Sequence, residues 1–195
     1  LKSLSEMLKG NAKSPVNVTV KWDGAPAVFA GINPENGKFF VATKSLFNKT
    51  PKINYTNADI DRNHGGGLAD KLKVALANLK GLGIKGVLQG DMLYTTGDLS
   101  SQTIDGESML TFTPNTITYA VPSNSGLASK INSSQMGIVF HTTYSGNTIE
   151  NLKASFGADV SGLKKTNKVW YQDADYRDVS GRATMTAKQE REIQN

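Results

Sequence analysis

The pattern of apolar and polar residues along this chain predicts mainly β-strands. The run from Val16 to Val20 alternates strictly, and a strand is expected at about 16–22. Two more strands are predicted at 26–33 and 38–44, joined by Asn-Pro-Glu-Asn-Gly, a sequence typical of a hairpin turn. Further strands are expected at the following segments: 87–94, 108–113, 116–121 and 136–143.

Helical spacing of apolar residues is clearest at 68–79, where Gly81 would end the helix. Shorter helices are predicted at the start of the chain, from Leu1 to Gly10, and between Thr148 and Gly157. The capping-box spacing at 186–189 indicates a helix that begins near the end of the sequence. The segments 48–67 and 122–135 are rich in polar and turn-forming residues; the first is predicted to be a long surface loop and the second to separate two strands.

Composition restricts the class of protein. The 195 residues are 38% hydrophobic and 20% charged, which is typical of a folded globular domain. The absence of cysteine excludes disulfides and thiol catalysis, and with only two histidines a structural zinc site is not expected. No apolar run approaches the length of a bilayer, so no membrane partner is expected. The first residue is Leu1 rather than Met, which suggests a fragment, and the formal charge of +5 suits a polyanionic partner.

The most informative short segment is Lys21-Trp22-Asp23-Gly24, directly after the first predicted strand. A deprotonated lysine amine can attack the α-phosphorus of a nucleoside triphosphate and form a covalent lysyl-nucleotide. That chemistry requires a pocket that lowers the lysine pKa. The alternative is a solvated lysine at the end of a strand, followed by an ordinary Asp-Gly turn. These four residues alone leave both interpretations open.

Five further segments follow in an order that is informative when they are taken together. They are V-A-T-K-S at 41–45, V-L-Q-G-D-M-L at 87–93, T-Y-A-V at 118–121, M-G-I-V-F at 136–140 and K-K-T-N-K-V-W at 164–170. With K-W-D-G they span about residues 16–172, and the succession resembles the nucleotidyltransferase domain shared by ATP-dependent DNA and RNA ligases and mRNA capping enzymes. The likeness is to a divergent form, of the kind encoded by large tailed phages.

The resemblance implies a fold, an activity and a partner. The expected fold is α+β, an ATP-grasp-like nucleotidyltransferase (ligase adenylation) domain with antiparallel β layers flanked by helices. It would cover residues 1–180, with 181–195 beginning a C-terminal helix or linker. The expected activity is transfer of AMP through a lysyl-AMP to a 5′-phosphate end of RNA or DNA, with ATP and Mg²⁺ or Mn²⁺ as cofactors. A monomer in the host cytoplasm is expected.

The resemblance also implies roles for individual residues. Lys21 would be the nucleophile, Asp91 a metal ligand, and Tyr119 the ring that stacks on the base. The residues expected to bind the nucleotide are Trp22, Asp23, Gly24, Lys44, Asp91, Tyr119, Lys165 and Lys168. Adenylyl transfer does need cations, an oxygen ligand and a π face. Considered one by one, the lysines could equally be solvated surface, Asp91 a turn residue and Tyr119 a core residue.

Three positions depart from the pattern of the family. The M-G-I-V-F segment corresponds to the fourth motif of the family. Met136 stands where that motif usually has an acidic metal ligand, and His141 stands where it usually ends in lysine. Pro26 replaces the arginine usual in DNA ligases and capping enzymes, which favours an RNA-ligase-like protein. The alternative is a catalytically impaired protein that keeps the fold as a nucleic-acid-binding or phage assembly module.

Overall fold

The computed structural model describes residues 2–4 and 22–174. Within this part the strands are β1 (Lys2–Ser3), β2 (Ala27–Ile32), β3 (Phe39–Ala42), β4 (Val87–Thr95), β5 (Ser100–Ile104), β6 (Glu107–Phe112), β7 (Tyr119–Pro122), β8 (Met136–Ser145), β9 (Lys153–Phe156) and β10 (Val169–Asp173). The α-helices are α1 (Asn57–Asn63), α2 (Gly66–Leu79) and α3 (Gly126–Ser133). Short 3₁₀ turns lie at Lys44–Phe47, Lys80–Leu82 and Thr96–Asp98.

The larger sheet has the strand order β10-β8-β4-β2-β3, and β9 pairs with the far end of β8. Its strands are antiparallel except for the parallel pair β10–β8. Helix α2 covers one face of this sheet, where its Leu72, Ala75 and Leu79 are fully buried. Burying each leucine contributes about 1.5–3 kcal/mol, so this amphipathic helix is a main source of stability for the sheet.

The smaller sheet has the order β1-β7-β6-β5, with β1 and β7 parallel and the other pairs antiparallel. It shares one apolar cluster with the larger sheet, on the face opposite α2. Phe112 and Tyr119 of the smaller sheet contribute to this cluster, together with Tyr94 and Val139 of the larger one. Ala128 and Ile131 of α3 belong to it as well, so the two sheets and α3 are held by a common core.

The coarse prediction of fold class is confirmed: the described chain is α+β, with antiparallel sheets and a few helices. The predicted β2–β3 hairpin is confirmed, and so is the main helix, α2. This helix ends in a 3₁₀ turn whose C-cap is Gly83, with φ +72°, rather than at Gly81. The strands predicted at 87–94, 108–113, 116–121 and 136–143 correspond to β4, β6, β7 and β8.

Two predictions of local structure are wrong where they can be compared. Residues 2 and 3 of the expected leading helix pair with β7 instead, since Lys2 lies opposite Tyr119 and Ser3 opposite Ala120. The helix expected after Thr148 is a turn followed by strand β9, which pairs with β8. The segment 122–135 does separate two strands, and it contains α3, which is capped by the Ser125 hydroxyl as it accepts a hydrogen bond from the Ala128 amide. Residues 5–10 of the leading helix, residues 16–21 of the first strand and the C-terminal helix lie outside the described residues.

The segment 48–67 is not the extended surface loop that was expected, because it contains α1. Thr56 and Asp59 form a capping box at the start of this helix. Fully buried Asn54 fixes the segment to β3: its Nδ2 donates to the Val41 carbonyl at 3.0 Å and lies 3.1 Å from His64 Nε2. Desolvation and, second, the charge of Lys52 lower the pKa of His64 below its usual 6.5.

Candidate functional site

The segment after Lys21 packs against strand β4 of the larger sheet, next to Asp91. The Ala25 amide donates to the Met92 carbonyl at 2.9 Å, and the Met92 amide donates to the Pro26 carbonyl at 3.0 Å. Between these bonds and β4, Gly24 lies so close that a Cβ on it would be 2.8 Å from Asp91 Cβ and 2.9 Å from the Met92 oxygen. Only glycine fits this approach. The K-W-D-G segment and the V-L-Q-G-D-M-L segment are therefore neighbours in space.

Asp23 fastens this segment to the smaller sheet. Its carboxylate accepts hydrogen bonds from Asn115 Nδ2 at 3.0 Å, from the Thr116 amide and hydroxyl at 2.8 and 2.6 Å, and from the Ile117 amide at 2.9 Å. The Asp23 amide donates to the Tyr119 hydroxyl at 2.7 Å. These bonds, that of the Thr116 hydroxyl first, hold the pKa of Asp23 far below its usual range.

Trp22 and Tyr119 form an aromatic group at the junction of the two sheets. The ring centroids of Trp22 and Tyr119 are 5.6 Å apart, and Tyr119 stacks on Phe112 at 5.4 Å. Tyr119 is fully buried, and this burial raises its pKa, so its ring offers no accessible face for a base. Trp22 is partly exposed, but its Nε1 is buried and has no hydrogen-bond partner within residues 2–4 and 22–174. An unpaired buried N–H is destabilising, by about 1–3 kcal/mol.

Asp91 and His141 form a polar pair on the sheet face opposite α2. Asp91 Oδ2 lies 3.4 Å from His141 Nε2, and each side chain is 30% exposed. His141 Nδ1 is 2.7 Å from the Thr142 hydroxyl, which orients the ring. Asp91 is in register with Val139 of β8, and Val139 with Gln172 of β10, so three strands contribute neighbouring side chains to this face.

Apolar clusters lie on both sides of the Asp91–His141 pair on the same face of the sheet. One is the core shared with the smaller sheet, which includes Val139. The other contains Phe29, Phe40 and Val87. A partly exposed carboxylate and imidazole between two apolar clusters are accessible to a ligand and lie in surroundings that strengthen electrostatic interactions.

The predicted lysines are not brought together with Asp91 by any contact among the described residues. Lys44 is exposed and begins a 3₁₀ turn two residues after β3. Lys165 and Lys168 are exposed in the segment that precedes β10. Lys21 lies outside the described residues, and Trp22 is the first residue of its segment that is described.

Met136 is a core residue. It is fully buried in the cluster beneath α2, together with Ile138 and Phe140, whereas Asp91 faces the opposite side of the sheet. A glutamate at this position would therefore be buried among apolar side chains rather than near Asp91. Across residues 2–4 and 22–174 no three His, Asp or Glu side chains are grouped to hold a metal ion. Magnesium is commonly held by one or two carboxylates together with substrate phosphates, so Asp91 alone fits that type of site.

Sequence reasoning missed two parts of this site. The first is the 115–117 loop that binds Asp23, for which the Pro-Asn turn gave only a local signal. The second is the position of His141 beside Asp91, which follows from the pairing of β4 with β8. His141 was noted only as a departure from a motif. No sequence pattern indicated its contact with Asp91.

The fold and the site together define an α+β protein with two β-sheets and a polar pair at their junction. None of the helices in the described part is both long and apolar enough to cross a membrane. The chain belongs to the family described as "Family of unknown function (DUF6267)", which matches residues 1–195. No curated protein and no solved structure matches the chain.

Proposed function

We propose that this protein is an ATP-dependent nucleotidyltransferase of the polynucleotide-ligase type, closer to RNA ligases than to DNA ligases. The observation that carries the proposal is the approach of Gly24 to Asp91, at a distance that no side chain on residue 24 would permit. It brings the K-x-D-G segment against Asp91, the acidic residue of the V-L-Q-G-D-M-L segment. A protein of the ligase type needs these two segments side by side, whereas the local structure of neither segment requires the other.

In the proposed reaction, the neutral amine of Lys21 attacks the α-phosphorus of ATP. A nitrogen–phosphorus bond forms, the bond between the α-phosphorus and the β-phosphate oxygen breaks, and pyrophosphate leaves, while the amine proton passes to solvent or a nearby base. AMP then moves to a 5′-phosphate end, from which a 3′-hydroxyl displaces it.

Asp91 is the residue that would hold Mg²⁺, and the ion would neutralise the charge of the phosphates. His141, 3.4 Å from Asp91, can donate a hydrogen bond to a phosphate oxygen or accept a proton. A role for Lys44 and Lys168 at the phosphates remains part of the proposal.

The finer assignments follow from the same proposal. The two sheets would correspond to the ATP-grasp-like adenylation fold expected over residues 1–180. The net charge of +5 favours a nucleic-acid partner. The host cytoplasm is the expected location, since ATP and nucleic-acid ends occur there.

A second candidate function is a noncatalytic nucleic-acid-binding or assembly module with the same fold. Tyr119 favours it, because the ring expected to stack on the base is fully buried. The Asp23 carboxylate favours it as well, since it is already bonded to the 115–117 loop. Both residues would then serve only to join the two sheets.

Intact mass measurement after incubation with ATP and Mg²⁺ distinguishes the two functions. The proposed enzyme gains the mass of AMP, and Lys21→Ala abolishes the gain. Lys21→Arg also abolishes it, because a guanidinium stays protonated and cannot attack phosphorus. Lys49→Ala is the matched control, since Lys49 is an exposed lysine outside the site, and it should keep the adduct. An adduct that survives in Lys21→Ala, or a wild-type chain that forms none with Mg²⁺ or Mn²⁺, refutes the enzyme.

A further inference from the structure

A cavity with two lysines in its lining lies between α3 and the segment that leads into β10. It has a volume of about 590 Å³, within the range of small-molecule sites. Its lining consists of Lys130, Ser133, Ser134, Lys165, Thr166, Asn167, Val169, Trp170, Tyr171 and Gln172. Within the described part of the chain, the cavity is formed by the second half of α3 with Ser134 and by residues 165–172.

The charge of this cavity is positive. Lys130 and Lys165 both line it, and among residues 2–4 and 22–174 no aspartate or glutamate does. Both lysines are exposed, and neither forms an ion pair with any residue in the described part of the chain. Two unneutralised ammonium groups at one cavity favour an anionic ligand.

The polar side chains of the cavity differ in how far they are already bonded. The Ser134 hydroxyl is 2.7 Å from both the Tyr94 hydroxyl and the Ile131 carbonyl, so it is satisfied within the protein. The amides of Asn167 and Gln172 have no side-chain partner among residues 2–4 and 22–174. An amide offers both donors and an acceptor, which is the combination that the edge of a nucleobase or a ribose requires.

We propose that this cavity binds a nucleotide unit, with its phosphate at Lys130 and Lys165 and its base or sugar at the amides of Asn167 and Gln172. The unit belongs either to a free nucleotide or to a single-stranded nucleic acid, since the phosphate chemistry is the same. The inference depends on the cavity lining and stands without the lysine chemistry proposed for Lys21. If Lys21 reacts as proposed, the cavity lies beside the ATP site. Gln172 of the cavity and Asp91 flank Val139 in register, about 10 Å apart across three strands.

Fluorescence anisotropy with a labelled, short single-stranded oligonucleotide tests the inference, without ATP or Mg²⁺ so that no adduct forms. The variant Lys130→Ala/Lys165→Ala should bind more weakly by about tenfold for each lysine. Its log–log salt dependence should also become shallower by about 0.7, because the contact with one phosphate is lost. Lys49→Ala/Lys153→Ala is the matched control: it removes the same charge from two exposed lysines outside the cavity, and it should leave both quantities near the wild-type values.

A neutral substitution separates specific contacts from overall charge. Gln172→Leu should weaken binding severalfold and leave the salt dependence unchanged, because no charge is removed. Urea unfolding of every variant verifies that the fold is retained. If folded Lys130→Ala/Lys165→Ala binds as tightly as the wild type, or no more weakly than its control, the cavity is not the site.

Competition by AMP identifies the source of the nucleotide. Displacement of the labelled strand by AMP indicates a site for a free nucleotide, and binding of the strand that AMP does not displace indicates a site for a polynucleotide. If the wild-type protein binds neither AMP nor the strand, the inference is overturned even where the lysyl-AMP forms. Conversely, a protein that binds the strand through this cavity but never forms the adduct loses only the proposed enzymatic function.

Discussion

The substitution Gly24→Ala tests the approach on which the proposed function depends. The new Cβ would lie 2.8 Å from Asp91 Cβ and 2.9 Å from the Met92 carbonyl oxygen, whereas ordinary carbon contacts are about 3.5–4.0 Å. Relief requires a displacement of about 0.7 Å, and the neighbouring atoms belong to a central strand that cannot move freely. The segment must therefore shift away from β4.

The cost follows from the two hydrogen bonds beside Gly24. The bonds between Ala25 and Met92 and between Met92 and Pro26 are 2.9 and 3.0 Å, and a shift of this size would lengthen both beyond useful range. A net loss of about 0.5–1.5 kcal/mol for each bond predicts a total of about 1–3 kcal/mol. The yield of the lysyl-AMP adduct should fall by more than the loss of folded protein explains, because residues 22–24 would no longer lie against Asp91.

Urea unfolding measures the stability and intact mass measures the adduct. Gly67→Ala is the control, because a Cβ at Gly67, in the first turn of α2, meets no atom within 4 Å. This control should be neutral, or more stable by about 0.5–1 kcal/mol. A Gly24→Ala protein as stable as the wild type would refute the close approach. One that is destabilised yet keeps full adduct formation would refute the link between this approach and catalysis.

Three further predictions concern the core, the pH dependence and the Asp23 contact. Gly137→Ala should destabilise the protein by about 1–3 kcal/mol in urea unfolding, because its Cβ would lie 2.2 Å from the buried Tyr94 ring; an unchanged midpoint would contradict this packing. The lowered pKa of His64 predicts stability that is complete above its unfolded pKa and is lost as the pH falls through the folded value, since burial and, second, the charge of Lys52 disfavour the protonated ring; His64→Gln should flatten this profile of urea midpoint against pH. Asp23→Asn should lower the yield of adduct although Lys21 is intact, because the amide nitrogen cannot accept the hydrogen bonds that the carboxylate accepts; a normal yield by intact mass would show that the contact does not matter.

The sequence predicts those elements whose apolar pattern is local. Helix α2 and strands β2, β4 and β8 were found because their buried residues recur at helical or strand spacing. Strand β5 was not found because it is almost entirely exposed, and its pairing with β6 defines it instead of burial. Helix α1 could have been predicted, since its Thr-x-x-Asp capping box is present in the sequence.

The candidate site was less predictable than the fold. The proximity of Gly24 and Asp91 could not be predicted from local patterns, because no pattern within either segment refers to the other. The partners of Asp23 in the 115–117 loop depend on how the two sheets pack, which local patterns do not encode. The burial of Met136 follows strand alternation, since Met136, Ile138 and Phe140 all face α2.

The contact between Asp23 and the 115–117 loop makes two backbone amides into natural reporters. The N–H groups of Thr116 and Ile117 are both bonded to the Asp23 carboxylate, in a segment where the Asn115 and Thr116 side chains are exposed. Their protection from hydrogen exchange therefore measures how often the segment after Lys21 detaches from the smaller sheet. A ligand that draws Asp23 away would accelerate exchange at these two amides, and one that tightens the junction would slow it. Binding at the junction of the sheets can thus be followed by exchange at a loop that the ligand itself need not touch.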